Sequence, residues 1–389
     1  MGLMPGYKHS DVGEIPDVWD AKQLGEIGDS LIGLTYRPAE VRNYGTLVLR
    51  SSNVQNGSLC FDDNVFVEAD IPERIMVRPG DILVCVRNGS RDLIGKSALI
   101  DERAVGMTFG AFMAVFRSED GQFLLHVFQS GIFKKQINEH LGATINQITN
   151  KSLNSFKVPL PPTNEERTRI ASALSDFDAL LTTLDQVIAK KRDLKQAAMQ
   201  QLLLGQMRLP GFHGGWSLKK LGEHIVPLKK TTRPSSLGKA EGAYPFFTNT
   251  TKPSDRFIDE FDFHTEAIIA NTGGEAYFNY YNGSFAAMAD CFVFETKITT
   301  KYLYYFLKSI EQSINDNGFN GSGIKHLDKK YFSRIEAYFP DDLLEQAAIS
   351  EVLSDMDAEL TMLELRRDKT HALKQAMMHE LLTGRTRLL

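Results

Sequence analysis

The sequence predicts an α+β protein: two mixed, β-rich domains separated by two long helices that pair as an antiparallel coiled coil, the whole forming a pseudo-two-fold internal repeat. Three observations carry this. First, Ile170–Leu209 recurs without a gap as Ile349–Leu388, identical at 20 of 40 positions. Second, both copies place apolar residues at alternating steps of four and three, the spacing of a coiled-coil seam. Third, each copy follows a long stretch of short β-like runs broken by Gly, Asn and Ser. Repetition on this scale organises the fold and has to be recognised before any single element. The expected segments are a first domain over 1–162, a long helix over 163–205, a linker over 206–216, a second domain over 217–341, a second long helix over 342–384 and a tail over 385–389.

In the first domain, Trp19 precedes Leu24-Gly25-Glu26; in the second, Trp216 precedes Leu221-Gly222-Glu223, and Arg37-Pro38 returns as Arg233-Pro234. Strands are expected at Asp81–Val86 and Ala111–Phe116, and at Glu266–Ala270 and Cys291–Phe294, the later run ending each sheet. Asn-Gly-Ser turns begin at Asn56, Asn88, Asn282 and Asn320.

The helices signal their own ends. Pro159, Pro161 and Pro162 lead to Thr163, with Glu166 three positions on; Pro340 leads to Asp342, with Glu345 three positions on. Both patterns read as capping boxes. Gly205 and Gly384 stand where a left-handed C-terminal cap is wanted. Each helix of roughly 40 residues is about 60 Å long. The first seam runs Ile170, Leu174, Phe177, Leu181, Leu184, Ile188; the second runs Ile349, Leu353, Met356, Leu360, Leu363. A single small domain cannot cover a seam of that length, so antiparallel pairing is expected rather than packing of each helix on its own domain alone.

Composition narrows the function. The 389 residues are 42% hydrophobic and 24% charged, ordinary for a soluble globular protein. Net charge is −5, spread as −3 over 1–164, +1 over 165–210, −2 over 211–345 and −1 over 346–389. No block is basic overall, so binding of nucleic acid would need a local positive face. Three cysteines without short spacing, Cys60, Cys85 and Cys291, fit a reducing compartment rather than a disulfide framework. The first residues carry no signal pattern and no apolar run is long enough to span a bilayer, so a cytoplasmic protein without a membrane partner is expected.

Catalytic motifs are missing. There is no phosphate-binding Gly-x-x-x-x-Gly-Lys-Ser/Thr loop, no amino-methyltransferase Asp/Asn-Pro-Pro-Tyr/Phe motif and no histidine pair at metal-ligand spacing. Asp62-Asp63 and Asp341-Asp342 lie at turns or a helix start, where acidic residues cap. Neither catalysis nor a cofactor or metal is expected. What remains is a set of donor-rich loops in both halves. The first domain offers Arg37, Ser51, Ser52, Asn53, Arg87, Asn88, Arg91, Lys96, and Asn146 and Gln147 within Thr144–Thr149. The second offers Lys229, Lys230, Thr231, Arg233, Asn249, Lys252, Asn271, Thr272, Lys325 and His326. These side-chain types reach phosphates and base edges, so they are the candidate DNA-binding residues.

The opening GYKHSDVGEIPDVWDAKQLGEI, the element PLPPTNEERTRIASALSDFDALL and its echo YFPDDLLEQAAISEVLSDMDAEL resemble the specificity subunit of type I restriction-modification enzymes. The resemblance spans nearly the whole chain. It implies two target-recognition domains, each reading one half of a bipartite, asymmetric site in double-stranded DNA, and helical spacers that pair antiparallel. It also implies a non-catalytic subunit that docks two methyltransferase (M) subunits and that restriction (R) subunits can join. Divergence between Arg87-Asn88-Gly89-Ser90 and Asn271-Thr272-Gly273-Gly274 implies two different half-sites. The competing classes are a standalone DNA methyltransferase or nuclease with duplicated recognition domains, and a protein scaffold that binds no DNA.

Overall fold

The computed structural model describes residues 5–141, 146–252 and 255–389. Thr144 and Ile145 of the Thr144–Thr149 loop, and the Met-Gly start, lie outside them. The chain forms two compact units, Met1–Thr183 with Arg366–Leu389, and Leu184–Leu365. Each unit holds one β-rich domain and half of each long helix.

In the first unit, four antiparallel strands lie in the order Ser97–Leu99, Ile82–Cys85, Met113–Arg117, Asp29–Ile32. A second sheet, ordered Thr108–Phe109, Thr46–Leu49, Phe66–Val67, Val41–Arg42, packs on it through Leu49, Leu83, Cys85, Phe109 and Val115. On the other face lie the helices Gly121–Gln129 and Gly131–His140. The second unit has a six-stranded sheet: Ile225–Pro227, Cys291–Thr296, Phe263–Asn271, Phe278–Ala287, Tyr244–Phe247, Phe257–Ile258. Helices Thr300–Ser309 and Glu311–Gly318 follow. The expected strands are present, but the runs expected to end their sheets are interior strands. Met113–Arg117 and Cys291–Thr296 each have partners on both sides, which is why their apolar character is nearly continuous.

The two tryptophan signatures fold alike. Asp20–Gln23 pairs with Lys157–Leu160, and Trp216–Lys220 with Glu336–Pro340, so in each unit the strand entering the long helix closes on the strand that opens the domain. The repeat also reaches further back than the long helices. Helix Gly121–Gln129 returns as Thr300–Ser309, with Gly121 offset from Thr300 as Ile170 is from Ile349. Among the described residues, only the first unit has a hairpin before its tryptophan, Tyr7–Ser10 with Gly13–Pro16.

The long helices run Asn164–Leu203 and Leu343–Leu382. Their halves pair antiparallel in each unit. In the first, Asp178 meets Lys374 and Glu166 meets Arg387; in the second, Asp357 meets Lys195 and Glu345 meets Arg208. Each pair maps onto its counterpart by the offset of the repeat. The helices do not choose between the domain and each other. Ile170 and Leu174 enter a core with Trp19, Phe123, Met378, Leu381 and Leu382, while Ile349 and Leu353 enter one with Tyr302, Phe339, Leu202 and Leu203. Phe177, Leu181, Met356 and Leu363, nearer mid-helix, are half-buried.

The caps depart from the expected reciprocal boxes. Thr163 accepts from the Glu166 amide at 3.2 Å and Asp342 from the Leu344 amide at 2.8 Å. The glutamates do not complete the boxes; each is buried in a two-pronged ion pair, Glu166 with Arg387 and Glu345 with Arg208. A buried carboxylate at a helix start gains more from a two-pronged guanidinium fork than from one backbone amide. Gly205 and Gly384 take φ of 67° and 69°, the left-handed caps expected.

Candidate nucleic-acid interface

Loops far apart in sequence converge at one end of each sheet. In the first unit, strand Ile82–Cys85 runs into the Arg87–Arg91 loop. Arg87 bridges Gln147, and the Ile148 amide donates to the Val86 carbonyl at 2.8 Å. The Asn146 amide donates to the Gly89 carbonyl at 3.2 Å, and Asn88 to the Ser51 hydroxyl at 3.3 Å. Lys96 donates to the Ser51 carbonyl at 3.4 Å. Ser51, Arg87, Asn88, Lys96, Asn146 and Gln147 thus form one cluster. Ser52 is half-buried beside them.

The second unit repeats the construction. Gly273 bridges His326, and the Leu327 amide donates to the Thr272 carbonyl at 3.0 Å, as Ile148 does to Val86. Gln147 and His326 occupy the same position of the repeat, as do Asn146 and Lys325. Asn249 accepts from the Thr272 amide at 3.3 Å, and Asn271 donates to the Thr250 carbonyl at 3.0 Å. Lys229, Lys230, Thr231, Thr272, Phe292 and Lys329 line a cleft of about 130 Å³ beside this junction.

Burial sorts the candidates. Asn53 and Asn271 are 0% and 2% exposed, and their amides hold turns together: Asn53 donates to the carbonyls of Cys60 and Asp63 at 3.0 and 3.1 Å. Groups so buried need protein partners. Asn53 has them on both sides of its amide, whereas Asn271 donates to the Thr250 carbonyl while its side-chain oxygen accepts no hydrogen bond among the described residues. Arg91 donates to the carbonyls of Asn138 and Leu141, tying its loop to a helix end. Arg233 is clamped by Asp262 at 2.8 Å and by Glu260 at 3.3 Å, which raises its pKa above the usual arginine value, the Asp262 hydrogen bond being the main cause. Thr231 donates to the Ala287 carbonyl at 2.7 Å. Arg87, Lys229, Lys230, Lys252, Lys325 and His326 are exposed. Arg37 is exposed on a separate turn, its backbone amide held by Glu40 at 2.6 Å.

Sequence reasoning missed the aromatic partners. Arg87 lies 5.0 Å from the ring centroid of Phe112, which is 57% exposed, and Lys329 lies 4.4 Å from that of Phe292. Lys329 directly follows the helix cap Asp328 and so reads as an ordinary helix-start residue; its place beside Lys229 and Lys230 arises only from folding. Among the described residues no group of acidic, histidine or cysteine side chains could hold a metal, and no helix is long and apolar enough to cross a membrane.

Known proteins share this architecture. A solved type I restriction-modification S subunit from M. genitalium has the same fold, with a TM-score of 0.67 and 16% identity over 98% of each chain. The StySPI specificity subunit of Salmonella potsdam is 26% identical over 230 residues, 55% of this chain and 50% of that one, so the match spans about half the relative's length. The putative MjaX specificity subunit of Methanocaldococcus jannaschii is 26% identical across 98% of this chain and 97% of its own. The family model for the type I restriction modification DNA specificity domain matches twice, over residues 16–191 and 213–370, once for each copy of the repeat. With its two matched copies together covering most of its length, the chain belongs to the type I restriction modification DNA specificity domain family.

Proposed function

We propose that this chain is the non-catalytic, sequence-specific DNA-recognition subunit of a cytoplasmic type I restriction-modification enzyme. Each domain reads one half of a bipartite, asymmetric site in double-stranded DNA. The paired helices set the distance between half-sites and dock two methyltransferase subunits, to which restriction subunits can add. The observation that carries this proposal is the duplicated junction: in both units a strand-end loop is pinned to the segment before a short helix, with exposed donors around it. Two copies of one construction with different side chains suit two half-sites of different sequence. Arg87, Asn88, Asn146 and Gln147 are assigned to the first half-site, and Asn249, Lys252, Thr272, Lys325 and His326 to the second; Arg and Asn/Gln make the bidentate contacts that discriminate guanine and adenine.

The test is methylation mapping in a host expressing the chain with its methyltransferase partner, combined with gel shifts of the purified complex. The expected result is one bipartite motif, with Lys325→Ala and His326→Ala disturbing one half only. A motif altered in both halves, or no sequence-specific shift, overturns the proposal. Binding by the assembled complex should fall with salt, with most of the slope contributed by partner subunits, because every block of this chain is near neutral and its own few local cations add only a few phosphate contacts.

A further inference from the structure

The cleft beside the second junction differs in chemistry from the junction itself. Three ammonium groups, Lys229, Lys230 and Lys329, border it, and no carboxylate lines it among the described residues. All three lysines are exposed, and none forms an ion pair among the described residues. The Phe292 ring supports Lys329 from below at 4.4 Å. The neutral donors nearby are already committed: the Thr231 hydroxyl to the Ala287 carbonyl, the Thr272 hydroxyl to the Asp290 carbonyl and the Thr272 amide to Asn249. The cleft therefore presents compact positive charge without the directional donor and acceptor pairs that tell one base from another. The first unit lacks a counterpart of the Lys229-Lys230 pair. After its corresponding strand, Asp29–Ile32, the chain reads Gly33-Leu34-Thr35-Tyr36, without a cation before Arg37.

We infer that the Lys229–Lys230–Lys329 cleft seats a backbone phosphate of the DNA, giving the second domain affinity and register but no base preference. This rests on the DNA-recognition role proposed above. Phosphate contacts position a protein on the duplex, while base contacts specify the sequence. The division of labour is therefore spatial, with lysines in the cleft and base-reading groups at the adjoining loops.

The experiment uses the full chain assembled with its methyltransferase partner. The probes are a duplex carrying the site found by methylation mapping and a duplex with one base pair changed in the half-site of the second domain. Affinity is measured over a salt series for wild type, Lys329→Gln, the double variant Lys229→Gln/Lys230→Gln, and the charge-retaining Lys329→Arg. A lysine that contacts a phosphate contributes about 0.9 to the log–log salt slope, worth about fivefold in affinity near physiological salt. Lys329→Gln should lose that slope and weaken both duplexes equally, leaving their affinity ratio unchanged, and Lys329→Arg should retain both. The double variant should behave likewise. Unchanged slopes in both glutamine variants would show that the cleft does not touch DNA. A changed ratio would show that it reads bases. Failure of the wild-type complex to bind either duplex would overturn the recognition proposal, and this one with it.

Discussion

In both units the helix halves meet around one aspartate, Asp178 or Asp357, each paired with a lysine from the other helix at 2.5 Å. What the domain brings to that aspartate differs. The first unit brings His126, 1% exposed, 4.0 Å from Asp178 and 3.2 Å from the Ser175 hydroxyl. The second brings Tyr305, whose hydroxyl donates to Asp357 at 2.8 Å while its ring takes Lys195 at 5.6 Å from the centroid. His126 and Tyr305 are the same position of the repeat. The tyrosine satisfies the aspartate as a neutral donor. The histidine is desolvated and faces Lys374, and burial first, then that charge, lowers its pKa to about 4. A shared scaffold thus carries one titratable contact and one that does not titrate.

The largest expected effect tests the equivalence itself. A fragment ending near Pro210 keeps the first domain and one whole helix, but lacks Lys374, Met378, Leu381, Leu382 and Arg387, which complete its unit. Lys195, Met199, Leu202, Leu203 and Arg208 of a second fragment stand at the same repeat positions. The fragment should therefore form a two-fold dimer with an isologous seam, and with the methyltransferase partner should direct methylation to a palindrome of the first half-site. Sedimentation decides the first point, and a stable monomer would break the comparison.

Next come the matched core leucines. Leu174→Ala and Leu353→Ala each remove a side chain that is fully buried and should each cost about 2–5 kcal/mol. Hydrogen exchange should show the loss in the first unit for one variant and in the second for the other. Loss of protection in both units from either change would mean that they do not fold as separable bodies.

The third effect depends on pH. The folded-state pKa of His126 lies below its ordinary value of 6.5, so the unfolded chain takes up the proton first and stability falls as pH drops from about 6.5 to about 4. At about 1.4 kcal/mol per pKa unit the full loss is on the order of 3 kcal/mol. Hydrogen exchange should show this loss in the first unit, and His126→Tyr should abolish it there while leaving the second unit's own buried histidine, His224, whose pKa burial also lowers, untouched. Acid sensitivity of the first unit that survived His126→Tyr would assign the effect to other groups.

The smallest effect belongs to the second unit alone. Lys191 and Glu359 pair across the helices there, with side chains 36% and 48% exposed; the repeat places Thr370 and Leu180 at those positions in the first unit. Screened pairs of this kind contribute about 0–1 kcal/mol. Lys191→Ala should shift denaturant unfolding of the second unit by no more than that, with added salt erasing the difference.

The helical repeat was legible because seam spacing and caps are local patterns, and the 20 shared positions keep both in register. The strands were legible as apolar runs, but their places in the sheets depend on partners far along the chain. The candidate loops could be found by composition, whereas their grouping could not. Arg87 meets Gln147, and Thr272 meets Asn249, only through folded pairing. Asn53 and Asn271 mark the limit: a turn asparagine looks like a free donor in sequence whether its amide faces water or holds the loop. The link between His126 and Tyr305 stayed hidden for another reason. Their helices keep the same burial but few of the same side chains.

The arginine tethers at the helix ends have a spectroscopic consequence. The chain has two tryptophans, and each lies beneath one tether: Arg387 is 5.6 Å from the Trp19 ring and Arg208 is 5.7 Å from the Trp216 ring. Each indole therefore senses whether the far helix has closed on its own unit. Trp216→Phe leaves an emission that reports the first unit alone, and Trp19→Phe leaves the second. The protein carries a separate built-in fluorophore for each of its two closures, with no label to attach.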